Sequence, residues 1–155
     1  VKFTVAAVGR VRSKHFGAAC DDYAKRLSRY ASLDIKVVKD ARGDSPGQIA
    51  ARDSENLLAA LPQRTFVVAL DERGEQVGSM ELARRLDDAM TRGVSSWSFC
   101  LGGAEGHSET LRSSADWLWS LSALTLPHEL ARVVLLEQLY RAMTILRGEK
   151  YHREG

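Results

Sequence analysis

Short apolar runs alternating with helix-length segments constrain this chain more than any other feature. Lys2-Phe3-Thr4-Val5-Ala6-Ala7-Val8 is apolar almost throughout and stops at Gly9. Thr65–Leu70 repeats the pattern before Asp71-Glu72-Arg73-Gly74, and Ser98–Leu101 does so before Gly102-Gly103. Runs this short, without polar alternation, predict strands covered on both faces; Ile35–Val38 is a weaker one. Helices are predicted from about Phe16 to Tyr30, and from the Ser45 cap, with Pro46 and Gln48 behind it, to about Leu61. A third runs from a Ser79 cap to about Arg92, where Gly93 stops it, and a short one starts at Ser108. The apolar segment Trp117–Leu121 precedes a long helix that begins near Pro127 and ends before Gly148. Strands separated by helices of about 10–15 residues predict βαβ units: an α/β fold with a mostly parallel sheet flanked by helices, as one domain over residues 1–155.

With 155 residues, the chain can bury roughly 70% of its unfolded surface without disulfide staples. Its 45% apolar and 27% charged content excludes disordered and fibrous classes. No apolar run approaches the roughly 18 residues of a membrane span, and the start matches no signal peptide, so a soluble cytoplasmic protein is expected. Cys20 and Cys100, far apart and without C-x-x-C spacing, are expected as free core thiols in a reducing compartment.

The last helix is apolar around most of its circumference: Ala131, Val133, Val134, Leu135, Leu136, Leu139, Tyr140, Ala142, Met143, Ile145 and Leu146. Such a helix is buried on more than one side. The reading here is that one face packs on the sheet and another on a second copy, giving a homodimer.

Charge is distributed unevenly. Residues 1–42 hold ten Lys or Arg against four Asp, whereas the remainder is net acidic. Arg10, Arg12 and Lys14 fall within five residues free of acids. This is either a phosphate-facing edge or a solvated face.

Common catalytic signatures are missing: no G-x-S-x-G, no G-x-x-x-x-G-K-[ST], no H-E-x-x-H. His15, His107, His128 and His152 are too dispersed for a local metal box, and no metal is expected. Three segments stand out instead. Gly102-Gly103-Ala104-Glu105-Gly106 follows a buried strand, where parallel sheets bind ligands and glycines admit close backbone approach; a tight turn is the alternative. Ser120 to His128 mixes apolar residues with small hydroxyls and could expose backbone groups to an adenine edge between Leu124 and Leu126. The tail sets Tyr151, His152 and Arg153 side by side, a set able to stack on a base, move a proton and hold a phosphate.

Leu101-Gly102-Gly103-Ala104-Glu105-Gly106, then Ser120 through Arg132 with its Leu-Thr-Leu-Pro-His centre, then Tyr140-Arg141-Ala142 and Tyr151-His152-Arg153, resemble the large-subunit rRNA methyltransferase H family in order and spacing. The resemblance covers essentially the whole chain. It implies a SPOUT-class sheet with a deep C-terminal trefoil knot, an exception to the rule against knots. It also implies a homodimer that uses S-adenosylmethionine, without metal, to methylate N3 of pseudouridine 1915 of 23S rRNA within assembled ribosomes. Carried over by motif, Leu70, Gly103 and the loop Ser122, Ala123, Leu124, Thr125, Leu126 and Pro127 would hold the cofactor. Tyr151, His152, Arg153 and Arg141 would serve the substrate. One departure is Lys150, where many relatives have Pro.

Methyl transfer from a sulfonium needs alignment and water exclusion more than covalent help. The imide proton of N3 must leave, and His152 is the expected assistant; its alternative role is to order the tail or contact phosphate. Arg10, Arg12, Lys14, Lys25 and Arg29 are the candidates for rRNA phosphate contact. Rival readings are a SPOUT enzyme acting on tRNA and a non-catalytic ribosome-assembly module. Without the resemblance, the residues alone would suggest a phosphate-binding small-molecule enzyme.

Overall fold

The computed structural model describes residues 1–153. In chain order the elements are β1 (Lys2–Val8), α1 (Lys14–Leu27), β2 (Ser32–Val38), α2 (Pro46–Ala60), β3 (Phe66–Glu75), α3 (Ser79–Thr91), β4 (Ser96–Leu101), α4 (Glu109–Ser114), β5 (Trp117–Trp119) and α5 (His128–Leu146). The five strands form one sheet in the order β2-β1-β4-β3-β5, and every pair is parallel.

Alternation along the strands divides the core between two faces. Phe3, Val5, Ala7 and Phe99 point to a layer containing Leu27, Leu82, Leu86, Leu135 and Leu139 from α1, α3 and α5. Ala6, Val8, Ala69 and Cys100 point to the opposite layer, against Leu57 of α2 and Leu111 of α4. Both faces are covered, as the absence of polar alternation predicts. Cys20 and Cys100 are free and buried, and burial pushes the Cys100 thiol up to about 12. No helix among the described residues is long and apolar enough to cross a membrane.

Several boundaries differ from the sequence reading, each for a local reason. α1 ends at Leu27 rather than Tyr30, because the Tyr30 N–H turns back to the Leu27 carbonyl and delivers Ala31 to the core. α3 is capped at Gly78, not Ser79; the Ser79 hydroxyl instead donates to Gln138 Oε1 of α5 at 2.6 Å. The expected turn at Asp71–Gly74 lies inside β3. Leu70 and Glu75 both pair with Trp119, so the four residues between them bulge out of the ladder. The apolar segment Trp117–Leu121 contributes the edge strand β5.

α5 lies between α1 and α3 over the sheet. None of residues 129–146 is fully exposed. Two flanking helices plus the sheet cover much of its apolar circumference from within the chain, while Val133, Val134, Tyr140, Ile145 and Leu146 stay partly exposed.

Candidate active site

β3 runs on into α3 on one face of the sheet, and β4 runs on into α4 on the other, so their diverging ends open a crevice at the carboxyl edge. The loop after β5 closes it from the side. The resulting cleft encloses about 490 Å³ and is lined by Leu70–Arg73, Leu101–His107, Arg112, residues 120–122 and 124–126, His128 and Ala131. That volume suits a nucleoside-sized molecule.

Its floor is shaped by close approach. A Cβ on Gly103 would lie 3.1 Å from Val8 Cγ1 and 3.2 Å from Asp53 Oδ2; one on Gly102 would lie 3.3 Å from the His107 ring. Asp53 is buried on α2 and accepts the Ala41 N–H at 2.8 Å, while Ser54 beside it accepts the N–H of Ser108, the cap of α4. These buried polar groups fix the glycine loop from below. His107 is 6% exposed and donates from Nε2 to the Cys100 carbonyl at 3.1 Å. Burial lowers its pKa, and Nδ1 is buried against Gly102 without a hydrogen-bond partner among the described residues.

The wall opposite is the loop of residues 120–127. The Ser120 hydroxyl donates to the Ser122 carbonyl at 3.0 Å, and Ser122 Oγ accepts the Leu124 N–H at 2.9 Å. This local bracing turns the backbone and leaves Leu124 77% exposed at the rim. Arg112 and Asp71 form a largely buried ion pair, 3.8 Å apart, on the third side.

Of the cofactor candidates, Leu70, Gly103, Ser122, Leu124, Thr125 and Leu126 line the cleft. Ala123 and Pro127 belong to the same loop but are exposed and do not line it. Sequence reasoning missed His107, Arg112 and Asp71. His107 follows the glycine loop directly, which is the one available signal; the other two are joined only by the fold.

The basic candidates divide into two groups. Glu129, in the first turn of α5, accepts the N–H groups of Arg12 (3.2 Å) and Ser13 (3.0 Å), and these bonds hold its carboxyl below the usual range. Arg132, only 5% exposed, donates to the Gly9 carbonyl at 2.8 Å. The exposed Arg10, Arg12 and Lys14 are thereby set beside the start of α5, whose first residue, His128, lines the cleft. Lys25 and Arg29 are exposed at the other end of α1, about 16 Å further along.

The tail candidates form a separate cluster. Arg141 Nε donates to Glu137 Oε1 at 2.7 Å, and the Tyr151 hydroxyl donates to the same oxygen at 3.3 Å. The Tyr151 ring meets Tyr140 edge-on, with centroids 4.6 Å apart, and its burial pushes the phenol pKa up. His152 touches Arg141, and Arg153 is exposed. Arg141 lies thirteen positions along α5 from His128 at the cleft, a rise of about 20 Å. One chain does not bring tail and cleft together. Among the described residues no group of three or more His, Cys, Asp or Glu could hold a metal ion.

Fold and cleft define an α/β protein with a nucleoside-sized, glycine-floored site at the carboxyl edge of a parallel sheet. The family model described as predicted SPOUT methyltransferase matches residues 1–152, and the chain belongs to this family. Ribosomal RNA large subunit methyltransferase H of Anaeromyxobacter sp. (strain Fw109-5) is 45% identical over 155 residues, covering 99% of this chain and 100% of the relative. The protein of the same name in Acetivibrio thermocellus is 39% identical over 159 residues, covering 99% and 100%. Among solved structures, a probable methylase family protein from Haemophilus influenzae Rd KW20 superposes with a TM-score of 0.58 at 11% identity, covering 98% of this chain and 70% of that one, a likeness of fold.

Proposed function

We propose that this protein transfers a methyl group from S-adenosylmethionine to large-subunit ribosomal RNA, at N3 of pseudouridine 1915, within assembled ribosomes in the cytoplasm. The observation that carries the reading is the cleft itself. Its glycine floor and its braced loop make a cradle for a nucleoside-sized molecule. The full-length relatives named as ribosomal RNA methyltransferases support the choice of substrate.

In this reading Leu70 and Gly103 border the cofactor, and residues 122–127 surround its adenine as the knotted loop of the SPOUT class. When bound, the cofactor supplies an electrophilic methyl on a sulfonium. The chain's own residues orient it and exclude water. Arg10, Arg12 and Lys14 beside the start of α5 contact rRNA phosphates, with Lys25 and Arg29 further out. Tyr151, His152, Arg153 and Arg141 face the target base. Because α5 holds them about 20 Å from their own cleft, they serve the cleft of a second copy, and the working unit is a homodimer.

The test is transfer of labelled methyl to unmodified ribosomes, free 23S rRNA and tRNA offered separately. Label confined to one pseudouridine of assembled ribosomes is the expected result. Label in tRNA would overturn the substrate, and no label anywhere would overturn the activity.

A further inference from the structure

We infer that His152 meets the substrate as a hydrogen-bond donor through Nε2, and not as the base that removes its imide proton; the inference rests on the methyl transfer proposed above. Arg141 Nη1 lies 3.2 Å from His152 Nδ1. A guanidinium has only N–H groups to offer, so this contact is a hydrogen bond when Nδ1 presents its lone pair, which puts the hydrogen of the ring on Nε2.

Arg141 is itself immobilised. Its Nε and Nη2 both reach Glu137 Oε1 at 2.7 Å, and its guanidinium lies over the Tyr151 ring, 4.6 Å from the centroid. Tyr151 is tied to the same carboxylate through its hydroxyl. Carboxylate, guanidinium and imidazole thus form a directional series, each orienting the next, with the Nε2–H at its outer end. No other described residue is bonded to that nitrogen.

This arrangement does not suit a base. Nε2 already carries hydrogen and has no lone pair to accept with. A proton placed on Nδ1 would set N–H against N–H and break the contact that positions the ring. It does suit the other need of the reaction. As N3 gives up its hydrogen, negative charge spreads onto the two flanking carbonyl oxygens of the base, and a fixed N–H aimed at one of them stabilises that charge. The step balances without a protein base. The N3–H bond breaks and the proton passes to water. The N3–methyl bond then forms as the methyl–sulfur bond breaks, leaving its electron pair on sulfur.

Amide substitutions separate the two roles, since no amide is a base. Gln places its amide nitrogen where Nε2 stands, whereas Asn reaches only the position of Nδ1. At saturating ribosomes and in a single turnover, H152Q should stay within about tenfold of the wild-type rate, while H152N and H152A should fall about a hundredfold. Affinity for S-adenosylhomocysteine and the thermal midpoint should be unchanged in all three. H152Q as slow as H152A overturns the inference. Independently of activity, the nitrogen chemical shifts of the His152 ring at neutral pH should show Nδ1 bare and Nε2 protonated; hydrogen on Nδ1 overturns it. Absence of methyl transfer by the wild-type protein would instead overturn the proposed activity, and this inference with it.

Discussion

Gly74 crosses the backbone of Leu118 so closely that a Cβ on it would stand 2.6 Å from the Leu118 carbonyl carbon. The contact joins the bulge of β3 to the edge strand β5, and therefore places Asp71–Arg73 and residues 120–126 on facing sides of the cleft. The obstacle is main chain, which cannot rotate away. Gly74→Ala should cost about 2–3 kcal/mol of stability and weaken cofactor binding as well. Urea unfolding and calorimetric titration with S-adenosylhomocysteine read the two effects; an unchanged midpoint would remove the contact from the account.

Arg132 satisfies the carbonyls at the end of β1 from a buried position, at 3.4 Å from Val8 and 2.8 Å from Gly9. Removing the guanidinium leaves these acceptors unpaired and leaves the basic loop tied to α5 through Glu129 alone. Arg132→Ala should destabilise by about 2–3 kcal/mol, and Arg132→Lys by less. Thermal unfolding checks both. A loss below about 0.5 kcal/mol for the alanine variant would mean that water replaces the side chain without cost.

Glu129 gains its two backbone bonds only as a carboxylate. Its pKa in the folded protein is lowered, chiefly by the N–H of Ser13 and then of Arg12. A lowered carboxyl pKa contributes stability that is present above the unfolded-state value and lost as pH falls through the folded one. Glu129→Gln should therefore lower the melting temperature at neutral pH and match the wild type once the medium is well below the glutamate range. A difference that persists undiminished in acid would assign the effect to packing.

Leu124 keeps 77% of its surface exposed although it lines the cleft. A leucine in that position gains little in the free protein and becomes covered when a ring lies against it. Leu124→Ala should leave the melting temperature unchanged and weaken S-adenosylhomocysteine binding about five- to tenfold, the worth of a partly buried side chain. Equal affinities by calorimetry would place the adenine elsewhere.

The sheet was legible because β1, β3 and β4 are apolar runs, long enough to be read without context. β5 was not, since three residues carry no period and its strand character comes from pairing with β3. Asp71–Gly74 has the composition of a turn, and only its position between two residues that share one partner makes it a bulge. The glycine loop and the Ser122–Leu126 segment could be picked out because their residue types are unusual after a strand. Asp53, Arg132 and the Asp71–Arg112 pair have ordinary helical or loop contexts. Their roles arise from burial between elements distant in sequence. The apolar circumference of α5 is informative in a different way: it reports how many neighbours a helix has, not whether they belong to the same chain.

The separation of cleft and tail along α5 leads to the most direct test. One variant, Leu124→Asp with Leu126→Asp, disables the cleft and keeps the tail; another, Arg141→Ala with His152→Ala, does the reverse. Each alone should be nearly inactive on unmodified ribosomes. If every site pairs the cleft of one copy with the tail of the other, equal amounts of the two, unfolded and refolded together, should recover about a quarter of the wild-type methyl transfer, because half the dimers are mixed and each has one intact site. A mixture as inactive as its components, with mixed dimers demonstrated, would contradict the account.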